Sequence, residues 1–378
     1  MTNKLLNMKL SISPGIFLFC ACLLACSNNK SYEGDATEIS VPLIKPEKTP
    51  YPPVERIRNN MDTIYLETND SCLVGNIKDV RVDDDLIFIR TDNRILLFSY
   101  EGTFIHSFAH RGRGAGEYLN IQSFDLSPER EELYIFDRDI RKIQVYSYNN
   151  NYLRTISLED YPFDFAVLSS GDLLLFYPQN FPDQLRRGLW KADCNGNVKK
   201  QLIELDPKFK RVGIIDHYMV HLDDKTIGLM GLEDNDIFYR ITADTVYEAY
   251  HMTTDIKMSR RVTRSDDIIE TPLTRYYKLN YLESDNWLMF LASDGKTTEA
   301  NVFVDKTDNT TYRLYNNDYL EYIKSPQDII PYFTNSFMGK YVSYIDPSVI
   351  CGVPEARDLL FPSLKAEDNP VLLILHDK

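Results

Sequence analysis

The chain has 378 residues, with 42 Lys and Arg against 56 Asp and Glu, for a formal net charge of −14. Apolar residues make up 43% and charged residues 26%, which excludes a disordered tail and a multi-span membrane protein. A chain this acidic lacks the basic footprint that nucleic acid requires. Its 25 Tyr and 19 Phe against 2 Trp favour strands over helices.

The first segment reads as an address. Lys4 and Lys9 form a positive n-region, and Ile16 to Ala25 is an apolar run too short to span a bilayer. It ends in Leu23-Leu24-Ala25-Cys26, which resembles the bacterial lipobox. That resemblance implies cleavage before Cys26, acylation of its thiol and a lipid-anchored protein of the cell envelope, at the outer membrane, on its periplasmic or its surface side. Removing residues 1–25 takes away two lysines and no acid, so the mature chain is more acidic still. Residues 26–60 contain Pro42, Pro46, Pro50, Pro52 and Pro53 without an apolar period. They are expected to be a flexible tether.

Beyond the signal and Cys26, the cysteines are Cys72, Cys194 and Cys351. No CxxC spacing points to zinc. All three are expected to be unpaired, with at least two buried in strands.

Residues 61–378 carry a period-2 signal rather than a helical one. From Asp79 the order is strand, Asp83-Asp84-Asp85 turn, Leu86 to Ile89, Thr91-Asp92-Asn93 turn, Ile95 to Tyr100, Glu101-Gly102 turn, and Thr103 to Phe108. The same order returns near Phe124, Phe165, Met219 and Leu282, and in degenerate form from Phe337 to the C-terminus. Four short strands per unit at this period define an all-β, six-bladed β-propeller of four-stranded antiparallel blades. The ring must close, and Asp62 to Leu66 with Val371 to Leu375 are the candidate closing strands. Asp255 to Leu279, with Arg260, Arg261, Arg264 and Arg275, fits the repeat worst and is expected to be an inter-blade loop or short helix.

Between the first two units lies His110-Arg111-Gly112-Arg113-Gly114-Ala115-Gly116-Glu117-Tyr118. Gly112, Gly114 and Gly116 imply a tightly folded structural loop. Arg111, Arg113, Glu117 and Tyr118 are the candidate binding residues, ahead of the Arg260–Arg275 segment. No strand-then-helix context supports a phosphate cradle. Preceded by Phe98-Ser99-Tyr100-Glu101-Gly102-Thr103-Phe104-Ile105, this run resembles the six-bladed β-propeller lipoproteins of Bacteroidetes, which are distantly NHL-like. Ala115 stands where that family usually has Pro. The resemblance implies a fold and an envelope location and carries over no catalytic residue.

No G-x-S-x-G elbow is present, which argues against an α/β-hydrolase. His106 with His110, and His217 with His221, are the closely spaced histidine pairs. Asp137, Asp172, Glu233, Asp236 and Asp305 could supply oxygen ligands to a hard cation such as Ca²⁺. No cofactor and no metal site is assigned, Ca²⁺ being the one conceivable ion. The expected function is an envelope-anchored binding module for a peptide, glycan or partner protein, held to the membrane through lipidated Cys26. The alternative is a metal-dependent hydrolase or lyase working in the central channel.

Overall fold

Contacts divide the chain into two units, Met1–Tyr32 and Glu33–Lys378. The computed structural model describes residues 36–41, 54–177, 186–204, 218–231, 237–253, 277–293, 299–315 and 333–376, all in the second unit. The signal segment, Cys26 and the Arg260–Arg275 segment lie outside the described residues.

The strands in chain order are β1 (Thr37–Ser40), β2 (Met61–Tyr65), β3 (Asp79–Asp83), β4 (Leu86–Arg90), β5 (Ile95–Ser99), β6 (Phe104–Phe108), β7 (Ser123–Ser127), β8 (Glu132–Asp137), β9 (Lys142–Ser147), β10 (Tyr152–Ser157), β11 (Asp164–Val167), β12 (Leu173–Tyr177), β13 (Gly188–Ala192), β14 (Val198–Ile203), β15 (Met219–His221), β16 (Ile227–Met230), β17 (Ile237–Ile241), β18 (Val246–Thr253), β19 (Tyr277–Glu283), β20 (Trp287–Ser293), β21 (Glu299–Asp305), β22 (Thr310–Tyr315), β23 (Asn335–Phe337), β24 (Lys340–Ile345) and β25 (Val371–His376). They form six sheets. Blades one to five are β3–β6, β7–β10, β11–β14, β15–β18 and β19–β22, and the sixth runs β23-β24-β25-β2. The ring closes where β2 pairs antiparallel with β25, Met61 opposite Leu375 and Tyr65 opposite Val371. Both closing strands are those read from the sequence.

The uninterrupted apolar runs follow from the radial packing. Successive side chains of a strand point to opposite faces, and in a blade both faces are covered. Ile87 and Ile89 of β4 enter the core shared with the sixth blade, beside Ile64, Leu372 and Ile374. Phe88, between them, enters the core shared with the second blade, beside Phe124, Leu133 and Ile135. In β8, Leu133 and Ile135 face one core while Tyr134 and Phe136 face the next. Each such buried side chain contributes roughly 1.5–3 kcal/mol relative to exposure.

Three expectations are corrected. Residues 37–40 are not tether but strand. β1 adds to the outer edge of the fourth blade, parallel to β18, with Ile39 opposite Met252. Ile39 and Val41 are fully buried in the core of the third to fifth blades, and two apolar side chains two residues apart suffice for that. Ser40 O accepts Thr311 Oγ1 of the fifth blade at 2.8 Å. The short helix Val54–Asn59 then buries Ile57 against Trp287, Phe303 and Leu314. Second, residues 277–279 belong to β19 rather than to an inter-blade loop or helix. Third, the cysteines are free, as expected, but none is in a strand. Cys72 is buried in a loop, Cys194 is exposed in the hairpin turn after β13, and Cys351 ends a short helix.

Blade six also carries an insertion between β24 and β25, with helices Pro347–Cys351 and Pro354–Leu360. Asp346 caps the first, its carboxylate accepting the Ser348 amide at 2.8 Å. Phe361 and Leu364 pin the insertion onto Val371 and Leu373 of β25. Helices of five and seven residues are too short to show a helical period in the sequence.

Candidate functional site

The inner strands are β3, β7, β11, β15, β19 and β23, and their polar side chains meet at the axis. Arg81 of β3 pairs with Asp125 of β7. The other carboxylate oxygen, Asp125 Oδ2, accepts the Val167 amide of β11 at 2.6 Å and lies 2.9 Å from His221 Nε2 of β15. One carboxylate therefore links four blades. Arg81 stacks over Phe124 at 4.9 Å and Phe337 at 5.5 Å, and Asp79 Oδ2 stands 3.8 Å from its Nε.

The electrostatics fit a buried latch. Burial alone would raise the Asp125 carboxyl, but His221 and Arg81 outweigh it and hold the group below the usual carboxylate range. Burial would likewise lower the Arg81 guanidinium, and Asp125, Asp79 and Asp164 reverse that. Beside the latch is a narrow cavity lined by Asp79, Arg81, His221, Asn335 and Phe337 among others, with room for about one water molecule. A sugar ring or lactone does not fit there.

A second polar knot joins blades four and five. Glu283, fully buried on β19, receives Arg240, Tyr281 and Lys306, the last at 2.9 Å. Burial and then Glu283 push the Tyr281 hydroxyl far up, so it stays a donor.

The glycine loop is mortar between blades one and two. Glu117 Oε2 accepts the Gly114 amide at 2.5 Å, and a Cβ on Gly112 would lie 2.0 Å from the same oxygen. The loop's own carboxylate thus occupies the hollow that its glycines make. Gly116 has φ +77°, its carbonyl accepts Tyr146 OH, and a Cβ there would meet the Tyr152 ring at 2.7 Å. Tyr118 is buried, with its hydroxyl donating to Phe108 O at 2.8 Å, and burial raises that hydroxyl to about 12. Of the four candidate binding residues, Tyr118 is therefore packed in the core and Glu117 is turned onto its own loop. Arg111 and Arg113 are exposed.

The other candidates disperse. His106 Nε2 meets Tyr148 O at 2.8 Å, and His110 stacks on Tyr146 and bonds Asn150. These two hold the blade interface and do not converge. His217, Glu233 and Asp236 lie outside the described residues. Asp137 accepts the Leu119 and Asn120 amides, Asp172 pairs with Lys191 at 3.0 Å, and Asp305 pairs with Arg56 at 2.5 Å. Among the described residues, no three His, Cys, Asp or Glu side chains form a group that could hold a metal ion. Nor is any described helix long and apolar enough to cross a membrane.

Of the axial residues only His221 is singled out by the sequence, and as one of a histidine pair, because Arg81 and Asp125 sit in different repeats. A usable signal was present: a charged residue bracketed by apolar neighbours in the first strand, as in Val80-Arg81-Val82 and Phe124-Asp125-Leu126.

The fold and its axis define a six-bladed β-propeller with a latched centre. The chain belongs to the DUF4934 family, a domain of unknown function, whose model matches residues 47–376. No curated protein matches it. Among solved structures it is similar to a protein of Bacteroides fragilis NCTC 9343 described as exported, with a TM-score of 0.71 and 17% identity over 90% of this chain and 100% of that one. It is also similar to a DUF4221 family member from Bacteroides vulgatus ATCC 8482, with a TM-score of 0.52 and 10% identity over 84% of this chain and 98% of that one. At these identities the likeness is one of fold.

Proposed function

We propose that the protein is a lipid-anchored envelope propeller, held at the outer membrane through Cys26, that acts as a binding module for a peptide, glycan or partner protein. The observation that carries this reading is the axial latch. Among the described residues, Arg81, Asp125 and His221 tie four blades where a channel enzyme would place its substrate, which favours recognition on another face of the propeller. The exported description of the Bacteroides fragilis protein and the Leu23-Leu24-Ala25-Cys26 run support the location.

Two measurements test the reading. Cells labelled with a palmitate analogue should yield a labelled protein that Cys26→Ser abolishes. Elemental analysis of the purified protein, with thermal melts in EDTA, addresses the module. A stoichiometric metal whose removal lowers the melting temperature, together with metal-dependent turnover of a lactone or glycan, would replace the binding module with an enzyme.

A further inference from the structure

Nine large apolar side chains are exposed among the described residues, and five of them lie on the end of β2 (Tyr65), the loop after it (Leu73) and the insertion of the sixth blade (Val349, Val353 and Leu359). Single exposed apolar residues are ordinary, but a group of them is not. Val349, Val353 and Leu359 are 69%, 53% and 52% exposed, and all three sit in the helical insertion. No ring-building role accounts for them, because Phe361 and Leu364 already fix the insertion to β25.

Separate segments are locked into one surface here. Asn369 of the insertion is buried. It donates to Glu67 O at 2.6 Å and Cys72 O at 2.9 Å and accepts the Val74 amide at 2.7 Å. This fastens the loop that bears Leu73 to the insertion. Tyr65 meets Phe361 edge-on at 6.5 Å, bringing in the end of β2. The surface is thus held rigidly before any partner arrives, which lowers the ordering cost of binding.

The insertion has a sign. Residues 346–370 contain Asp346, Glu355, Asp358, Glu367 and Asp368 against Arg357 and Lys365, and Asp358 pairs with Arg357 at 2.5 Å. Apolar side chains on a segment with this acidic excess repel an anionic lipid surface and complement a partner of opposite charge. Resting on the binding-module reading, we propose that this face of the closing blade docks a protein segment with an aliphatic or aromatic anchor flanked by Lys and Arg.

The test uses displayed random peptides selected against the full-length protein. Enriched sequences should carry an apolar anchor with basic flanks. Their binding should fall at least tenfold in Val353→Asp and in Leu359→Asp, and also in the double variant Glu355→Lys, Asp358→Lys. Wild-type binding should weaken steeply with salt. These positions are exposed, so thermal melts of the variants should match wild type. Failure to enrich any peptide, or enrichment of acidic flanks, overturns the proposal. So does Val353-dependent binding to phosphatidylethanolamine–phosphatidylglycerol vesicles, or Val353-dependent self-association in sedimentation. Peptides that bind wild type and Val353→Asp equally overturn this docking face while leaving a binding module. Metal-dependent turnover would remove the module itself.

Discussion

Arg81 and Asp125 lie 44 residues apart, one repeat, and each is the middle residue of its five-residue inner strand. That coincidence of spacing puts them at one level on neighbouring blades. Removing one partner leaves the other charge buried and unpaired. Asp125→Ala should therefore cost about 3–5 kcal/mol in urea unfolding, whereas the double change Arg81→Met, Asp125→Leu should recover much of the loss.

The same carboxylate makes stability depend on pH. Its folded pKa lies below the unfolded value of about 3.9. Between the two values the unfolded chain binds more protons, so stability rises with pH there. The contribution is complete above the unfolded pKa and is lost as pH falls through the folded one. Unfolding free energies measured from pH 6 downward should show a shallower acid loss in Asp125→Asn than in wild type.

Glu117 and Gly112 should be strongly coupled. A methyl group on Gly112 displaces the Glu117 carboxylate from the Gly114 amide, so Gly112→Ala and Glu117→Ala each lose that hydrogen bond, about 1 kcal/mol. In a double-mutant cycle the pair should cost little more than either single change. Gly116→Ala should behave differently. It meets the Tyr152 ring from a left-handed backbone, and Glu117→Ala should not relieve it.

If residues 36–41 were linker, changes there would be silent. With Ile39 buried against the fourth blade, Ile39→Ala should instead destabilise by about 2–5 kcal/mol, read as a lowered urea midpoint.

The thiols should separate by environment. Cys194 is exposed and should react with a maleimide in the native protein. Burial raises the Cys72 thiol and shields it, so Cys72 should label only after denaturation. Peptide mapping of the labelled protein distinguishes them.

Much of this architecture was legible in the residues because blade strands are short, recur in fours at a regular spacing and end in turns with a stereochemical signature. Gly102 takes a positive φ where the sequence placed the Glu101-Gly102 turn. The glycine spacing pointed to a tightly folded loop, whereas the carboxylate seated against its glycines is seen only in the coordinates. What stayed hidden depends on pairing at long range. β1 is four residues in a proline-rich stretch, and its partner Met252 lies more than two hundred residues away. The apolar face of the insertion was hidden for a different cause. Its aliphatic residues look like core in a sequence, and only the packing of Phe361 and Leu364 beneath them shows that they are surplus.

β1 also changes how the ring would carry load. In chain order, a pull from the N-terminal side meets the fourth blade before it meets β2. Four paired residues, with Ile39 and Val41 plugged into the core, must come away before the closing strand feels any tension. Ten residues separate Cys26 from Thr37, at most about 40 Å of extended chain. An acyl anchor at Cys26 would thus pull at short range on a strand that the ring can lose without opening, and the seam between β2 and β25 is left unstressed.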